Sequence, residues 1–298
     1  MILTDKDTLC NRYIRWQINK YKRNKLHIIS ADKQIKGVAI RKRISPLLIK
    51  VLQIKSVLSG LSYEFISEAK GWGKNDTVIY AVTHIGKFDY EMVMEACNIF
   101  AYAFAGDWEL SYATIDDYFF RAKGVLYVDT GDKEDRKNSF QYMIKLLRKG
   151  TSMIIFPEGI WNLTENLPTM KIFPGAVQAV KECHVPIIPI AIEQVGKHFV
   201  LNVGRQLQFD DVEEKVAVPI LRDTLATLRW EIWEHLPQEK RSNIPVNYYE
   251  RFLEERLKEY DVISMELINR RMYKDKTDRE IEEIERDLKK LRNCASGI

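Results

Sequence analysis

Residues 78–100 read VIYAVTHIGKFDYEMVMEACNIF, and the change of pattern inside this stretch decides the fold. The first six residues form an apolar run that predicts a buried strand, and FDYEMVMEACNIF predicts a helix. His84 lies in the loop between the two. Because ligands bind at the carboxyl ends of strands in a parallel α/β sheet, His84 stands where a functional side chain is expected.

The same alternation of apolar runs and helical stretches continues along the chain. The apolar runs are AYAFA (101–105), GVLYVD (124–129), SMIIFPE (152–158) and VPIIPIAIE (185–193). Helices are predicted around 108–122, at 132–150 and at 173–183, and a further strand at 199–209 precedes a helix at about 212–236. This pattern predicts an α/β protein with a mostly parallel sheet covered by helices.

Three regions are predicted from the composition. Residues 1–70 hold basic amphipathic helices, residues 71–241 hold the α/β domain, and residues 242–298 form a charged helical extension. Within the first region, Ser45-Pro46 indicates that a helix begins there and covers 45–68. Pro237 and SNIPVN (242–247) mark the end of the α/β domain.

Charge is distributed unevenly along the chain. Residues 1–63 carry 14 Lys and Arg against 3 Asp and Glu, so their net charge is +11, whereas the whole chain has a net charge of +4. Aromatic and aliphatic residues lie between these bases, a pattern typical of helices that bind an anionic membrane surface. The alternative is a basic helix that packs on the domain or is simply solvated. No nucleic-acid motif accompanies the charge, so nucleic acid is not an expected partner.

Several classes of protein are disfavoured. No stretch is apolar enough for a membrane-spanning helix, and the N-terminus lacks the apolar segment of a secretory signal. We therefore expect a cytoplasmic protein, peripheral on the inner face of the membrane. The four cysteines are widely separated without a CxxC pair, so no metal is expected. The signatures of phosphate loops, dinucleotide sites and serine hydrolases are also missing.

His84 and Asp89 are five residues apart, a spacing that does not place two side chains on one face of a helix. They meet only if His84 is in the loop and Asp89 is in the first helical turn, which Gly86 permits. The carboxylate then holds the imidazole in one tautomer and stabilises its protonated form. FPEG (156–159) also ends a strand, so both segments are expected at one edge of the sheet.

Five motifs in this order resemble those of the glycerolipid acyltransferase family, which includes lysophosphatidic acid and glycerol-3-phosphate acyltransferases. They are HxxxxD (84–89), GVLYVD (124–129), FPEG (156–159), KIFPGA (171–176) and VPIIPI (185–190). The resemblance covers about residues 77–209 and implies acyl transfer from acyl-coenzyme A or acyl carrier protein to a hydroxyl group. No cofactor or metal is implied beyond the acyl donor. The basic end of the chain would also suit the acidic carrier protein.

The resemblance also implies roles for individual residues. His84 would act as the general base, and Asp89 would orient its ring. Backbone N–H groups near Gly86 would stabilise the oxyanion of the transition state. The acceptor site would include the FPEG residues Phe156, Pro157, Glu158 and Gly159.

The sequence departs from the family pattern where cations are expected. Family members commonly have arginine after the GVLYVD-like motif, and threonine followed by arginine or serine after FPEG; here Thr130 and Ile160-Trp161-Asn162 occupy those places. Arg136 and Lys171 are the candidate replacements for binding an acceptor phosphate. Otherwise the acceptor carries no phosphate. The alternative function is a non-catalytic binding or scaffold protein at a membrane surface, with a degenerate acyltransferase fold.

Overall fold

The computed structural model describes residues 33, 35–67, 77–106, 120–128, 132–164 and 166–257. One compact unit spans Lys6–Ile244, and a second combines Met1–Asp5 with Pro245–Ile298. The helices predicted within 1–32 and 258–298 lie outside the described residues, as does most of the helix predicted around 108–122.

The larger unit is built from strands that alternate with helices. Its strands are β1 (Ser62–Ser67), β2 (Ile79–Val82), β3 (Ala103–Ala105), β4 (Val125–Tyr127), β5 (Met153–Ile155), β6 (Ile187–Val195) and β7 (His198–Val203). Its main helices are α1 (Val38–Ser59), α2 (Asp89–Ala96), α3 (Lys133–Arg148), α4 (Gly175–Cys183) and α5 (Glu214–His235), followed by a 3-10 turn at Arg241–Asn243.

Five strands form one sheet in the order β1-β7-β6-β2-β5. All neighbours in it pair in parallel except β6 and β7, which form an antiparallel hairpin. The parallel pair β3-β4 continues the sheet beyond β5 through a bridge between Tyr102 and Met153. The predicted α/β fold with a mostly parallel sheet is therefore confirmed.

The central strand β2 is buried on both faces, which explains its unbroken apolar sequence. Ile79 and Ala81 belong to the core that α3, α4 and the first half of α5 cover. Tyr80 and Val82 belong to a second core, which α2 and Leu52 of α1 cover. The sheet is thus a middle layer between two helical layers.

Helix α1 begins at Val38, before the Ser45-Pro46 start expected from the sequence, and contains Pro46 in its interior. Proline has no N–H to donate to the carbonyl four residues earlier. Here the Ser45 hydroxyl donates to that carbonyl, the Lys42 oxygen, at 2.9 Å. The serine that was expected to mark a helix start instead satisfies the acceptor that Pro46 leaves open.

The helix predicted over 45–68 ends early, at Ser59, and Ser62–Ser67 form strand β1. Gly60 terminates α1 in the left-handed conformation, with φ of 68°. β1 then pairs with the inner strand β7 as an edge strand. Its mostly exposed residues lack the apolar run that identified the other strands.

In the second unit, the described residues include α6 (Tyr248–Leu257), which lies within the predicted C-terminal extension. The rings of Tyr249 and Phe252 stack on this helix with centroids 6.4 Å apart. No helix within the described residues is both long and apolar enough to cross a bilayer.

Candidate active site

The carboxyl ends of β2 and β5 bring two of the predicted motifs together. The strands are parallel neighbours, with Ala81 opposite Ile155, so the loops that follow them leave the same edge of the sheet. The ring of His84 consequently stacks on that of Phe156, with centroids 3.9 Å apart and planes 17° apart. The N–H of Asn162 donates to the His84 carbonyl at 2.5 Å.

His84 and Asp89 meet in the arrangement expected from their spacing. Nδ1 of His84 lies 2.8 Å from Oδ2 of Asp89, which is the first residue of α2. Asp89 is fully buried, whereas part of the His84 side chain is exposed. With Nδ1 held by the carboxylate, Nε2 is the nitrogen that can accept a proton from a substrate.

The expected role of the backbone near Gly86 has to be corrected. The N–H groups of Ile85 and Gly86 both donate to Asp89 Oδ2, at 2.6 and 2.9 Å. These two donors are aimed at the carboxylate, so they are not directed at an oxyanion of the substrate. They fix Asp89 in place and stabilise its negative charge at the start of α2.

Trp161 lies beside the catalytic histidine candidate. Its ring is edge-on to the His84 ring, with centroids 6.0 Å apart and planes at 84°. Phe156 therefore covers one face of the imidazole while Trp161 approaches it from another direction. The immediate surroundings of His84 on this side are aromatic, where the sequence pattern of the family commonly has arginine or serine.

Glu158 is fully buried and is tied to the main chain on two sides. Oε1 accepts the N–H of His84 at 3.3 Å, and Oε2 accepts the N–H of Met170 at 2.9 Å. Burial raises the pKa of this carboxyl group, and the N–H of Met170 and the charge of Arg229 oppose the rise. These contacts position His84; contact between Glu158 and an acceptor stays a prediction.

Gly159 allows the FPEG and KIFPGA motifs to pack together. It has φ of 71°, and its N–H donates to the Phe156 carbonyl at 2.9 Å. A Cβ atom on Gly159 would lie 2.7 Å from Cε2 of Phe173, too close for real atoms. The N–H of Phe173 also donates to the Pro157 carbonyl at 2.8 Å. The left-handed backbone therefore favours glycine here, and any side chain at this position would also displace the Phe173 ring.

The two candidate cations lie in different places. Lys171 is exposed and follows Met170, so it belongs to the segment that packs on FPEG. Arg136 is exposed in the first turn of α3, which follows β4. β4 is three strands from β2, a separation of about 14 Å across the sheet, so Arg136 follows a different strand end from the one that carries His84. Thr130 lies outside the described residues.

Sequence reasoning missed two residues that support this site. Asn162 is buried, and its side-chain Nδ2 donates to the Leu167 carbonyl at 3.0 Å, which folds the loop after FPEG. Arg229 is buried on α5 and donates to the Pro168 carbonyl at 3.3 Å. The burial of Arg229 could have been predicted from the sequence, because Arg229 shares the buried face of α5 with Leu221, Leu225 and Ile232.

Comparisons with known proteins found one matching family model and similar solved structures. Residues 64–193 match the family model described as Acyltransferase, which confirms the resemblance to glycerolipid acyltransferases. The fold is similar to that of the 1-acyl-sn-glycerophosphate (LPA) acyltransferase PlsC from Thermotoga maritima, with a TM-score of 0.55 and 12% sequence identity. The similarity covers 76% of this chain and 95% of PlsC. No curated protein matches the sequence.

Proposed function

We propose that this chain, whose residues 64–193 form an acyltransferase domain, transfers a fatty acyl group from a thioester to a hydroxyl group. The donor is acyl-coenzyme A or acyl carrier protein, and the acceptor is a lysophospholipid, glycerol 3-phosphate or a related molecule. The observation that carries the proposal is the 2.8 Å contact between His84 and the buried Asp89 at the end of β2.

The chemistry follows from the atoms available. Nε2 of His84 accepts the proton of the acceptor hydroxyl while its oxygen attacks the thioester carbonyl carbon. The tetrahedral intermediate collapses, the C–S bond breaks, and the imidazolium returns the proton to the leaving thiolate. Asp89 stabilises the imidazolium between these steps. A thioester is reactive enough that neither an enzyme nucleophile nor a bound cofactor is required.

The acceptor is proposed to be a glycerolipid or its precursor because the fold resembles that of an LPA acyltransferase. Lys171 is the better placed of the candidate phosphate ligands, since its segment packs on FPEG. Arg136 would require an acceptor that extends along the edge of the sheet toward α3.

An apolar stripe on α1 supports association with a lipid surface. The exposed residues of this stripe are spaced three or four apart: Ile40, Ile44, Leu47, Val51, Ile54 and Leu58. Arg43 and Lys50 flank the stripe. If two copies of α1 paired through the stripe, these like charges would repel each other, whereas anionic lipid headgroups would attract them. We therefore propose peripheral binding to the anionic inner face of the membrane.

The direction of α1 supports this proposal, because the helix ends at the edge of the sheet that carries His84. Lys42 Nζ contacts the Gly150 carbonyl, which precedes β5, whereas Lys55 Nζ contacts Glu91 of α2 at 2.7 Å. The helix thus runs from the amino edge of the sheet to its carboxyl edge. Its exposed C-terminal end, at Leu58, lies near the edge that carries His84. Substrate and product would move directly between lipid and enzyme.

A thiol-release assay tests the function. Purified protein is incubated with long-chain acyl-coenzyme A or acyl carrier protein and with acceptors that carry or lack a phosphate. Acceptor-dependent thiol release that disappears in His84→Ala supports the proposal. If the folded protein releases no thiol with either donor and any acceptor, a non-catalytic scaffold is favoured.

Vesicle flotation tests the membrane surface. Ile54→Glu/Leu58→Glu is expected to lower binding to anionic vesicles about tenfold or more, because charges replace buried apolar area. Val216→Glu/Ile220→Glu, on the exposed face of α5, is the matched control. Unchanged flotation of the α1 variant would reject lipid binding through this stripe. Loss of activity with acyl carrier protein alone would point instead to carrier recruitment.

A further inference from the structure

A buried ion pair joins Arg229 of α5, which lies outside the residues that match the family model, to Glu193 of β6. Arg229 is 4% exposed, and its Nε and Nη2 donate to Glu193 Oε2 at 3.1 and 2.9 Å. Trp233 Nε1 donates to the same oxygen at 3.1 Å, and the guanidinium lies 5.2 Å from the Trp233 ring centroid. Such deeply buried charges persist only when they are paired and hydrogen-bonded.

Arg229 is connected to His84 by a short series of contacts. Its Nη1 donates to the Pro168 carbonyl at 3.3 Å. Two residues later, the N–H of Met170 donates to Glu158 Oε2 at 2.9 Å. The other oxygen of Glu158 accepts the N–H of His84 at 3.3 Å. The series runs from α5 through the segment after FPEG to the main chain of the proposed base.

The positive charge of Arg229 also favours the form of Glu158 that makes these contacts. Glu158 is fully buried, which raises its pKa, and the positive charge of Arg229 is among the influences that lower it. An arginine side chain stays protonated at any pH the protein meets. Arg229 therefore favours the ionised carboxylate, in which both oxygens accept N–H groups of the main chain.

We propose that Arg229 is a positioning residue for His84 and acts through Pro168, Met170 and Glu158. The proposal rests on the proposed function in that His84 is the base of the reaction. Without Arg229, the Pro168–Met170 segment loses this hydrogen bond from α5, and the main chain of His84 is held less firmly. A displacement of the base by a fraction of an ångström lowers the rate of the chemical step more than substrate binding.

Steady-state kinetics test this on the full chain. Arg229→Met/Glu193→Met removes the ion pair as a unit and is expected to lower kcat about tenfold while KM changes less than twofold. Arg229→Lys, which keeps the charge, should fall between this variant and the wild type. Arg222→Met, an exposed arginine on the same helix, is the control. In a Glu158→Gln background the same pair of substitutions should lower kcat little further, because Glu158, through which Arg229 acts on His84, is already altered.

Hydrogen exchange tests the proposal without requiring activity. The His84 amide should exchange about tenfold faster in Arg229→Met/Glu193→Met, or in Arg229→Lys if the first variant does not fold. The Ile79 amide, which donates to the Pro186 carbonyl at 3.0 Å, should keep its protection. Equal acceleration of both amides, or a His84 amide unchanged, would overturn the proposal. Absence of acyl transfer by the wild type would refute the proposed function, while these exchange rates would still decide the role of Arg229.

Discussion

Two histidine–aspartate pairs among the residues that the structure describes have nearly the same geometry but different surroundings. His84 lies 2.8 Å from Asp89, and His184 lies 2.7 Å from Asp210. The side chains of the first pair are 20% and 0% exposed, and those of the second are 78% and 38% exposed. His84 follows the carboxyl end of β2, whereas His184 precedes the amino end of β6.

This difference shows that the distance between the two side chains does not identify a catalytic base. Around the exposed pair, water and salt screen the charges. Asp89, in contrast, is held by two backbone N–H groups and cannot leave the imidazole. Burial of the aspartate and the location at the carboxyl edge of the sheet favour the first pair as the proposed base.

The largest effect is expected from removing each histidine. His84→Ala should lower kcat/KM for thiol release about 10³-fold, because the proton of the acceptor loses its base. His184→Ala should leave the rate within twofold of the wild type. Similar losses in both variants would mean that the assay reports folding and not catalysis.

Replacing each aspartate by asparagine sharpens the comparison. Asp89→Asn keeps an oxygen for the three donors at Oδ2 but loses the charge that stabilises the imidazolium, so kcat should fall about 10²-fold. Asp210→Asn should change kcat by less than twofold. Thermal unfolding serves as the folding control, and full activity of Asp89→Asn would remove Asp89 from the mechanism.

Glu158→Gln tests whether the main chain of His84 must be held. Glutamine offers one acceptor oxygen to two N–H groups, so kcat is expected to fall about tenfold. Glu234→Gln on the surface of α5 is the control. An unchanged kcat would mean that Glu158 does not position the base.

The same variant has a pH signature in its stability. Burial raises the pKa of Glu158 in the folded state, so the ionised form costs stability above that pKa and the cost is absent at low pH. Urea unfolding should therefore show the wild type losing stability relative to Glu158→Gln as pH rises from about 4.5 to 7. A constant difference across this range would contradict the raised pKa.

The smallest effect is expected on stability, from Glu91 of α2, the helix that begins with Asp89. Burial alone would raise the pKa of Glu91, but Lys123 and Lys55 outweigh it and lower the pKa. Glu91 thus contributes stability above the pKa of the unfolded chain, and this is lost as pH falls through the lower folded value. Glu91→Gln should cost about 1–2 kcal/mol at pH 7 and progressively less below pH 4.

The control for Glu91→Gln is a substitution in an exposed ion pair, that of Arg148 and Glu182. Glu182→Gln should cost less than about 0.5 kcal/mol at any pH, because an exposed ion pair contributes little. Urea unfolding of both variants from pH 3 to 8 makes the measurement. Equal costs would show that α2 is not anchored by its charges.

The sequence predicted the parts of the site that follow from local pattern. The run VIYAVT was identifiable as a strand and FPEG as a segment at the end of a strand, and the spacing of His84 and Asp89 required a loop followed by a helical turn. β1 was missed because edge strands need no apolar run, and its pairing with β7 joins residues distant along the chain. The amides near Gly86 were misjudged because their acceptor depends on the rotamer of Asp89.

By itself, the sequence determined the order of strands and helices from β2 onward and the placement of polar residues after apolar runs, since these depend on neighbours along the chain. Only the tertiary structure decided that β5 lies beside β2, that Glu158 binds the main chain of His84, and that Arg229 reaches Pro168. Those contacts join residues 61 to 74 positions apart. Their partners are selected by packing and burial over the whole domain, which no local pattern records.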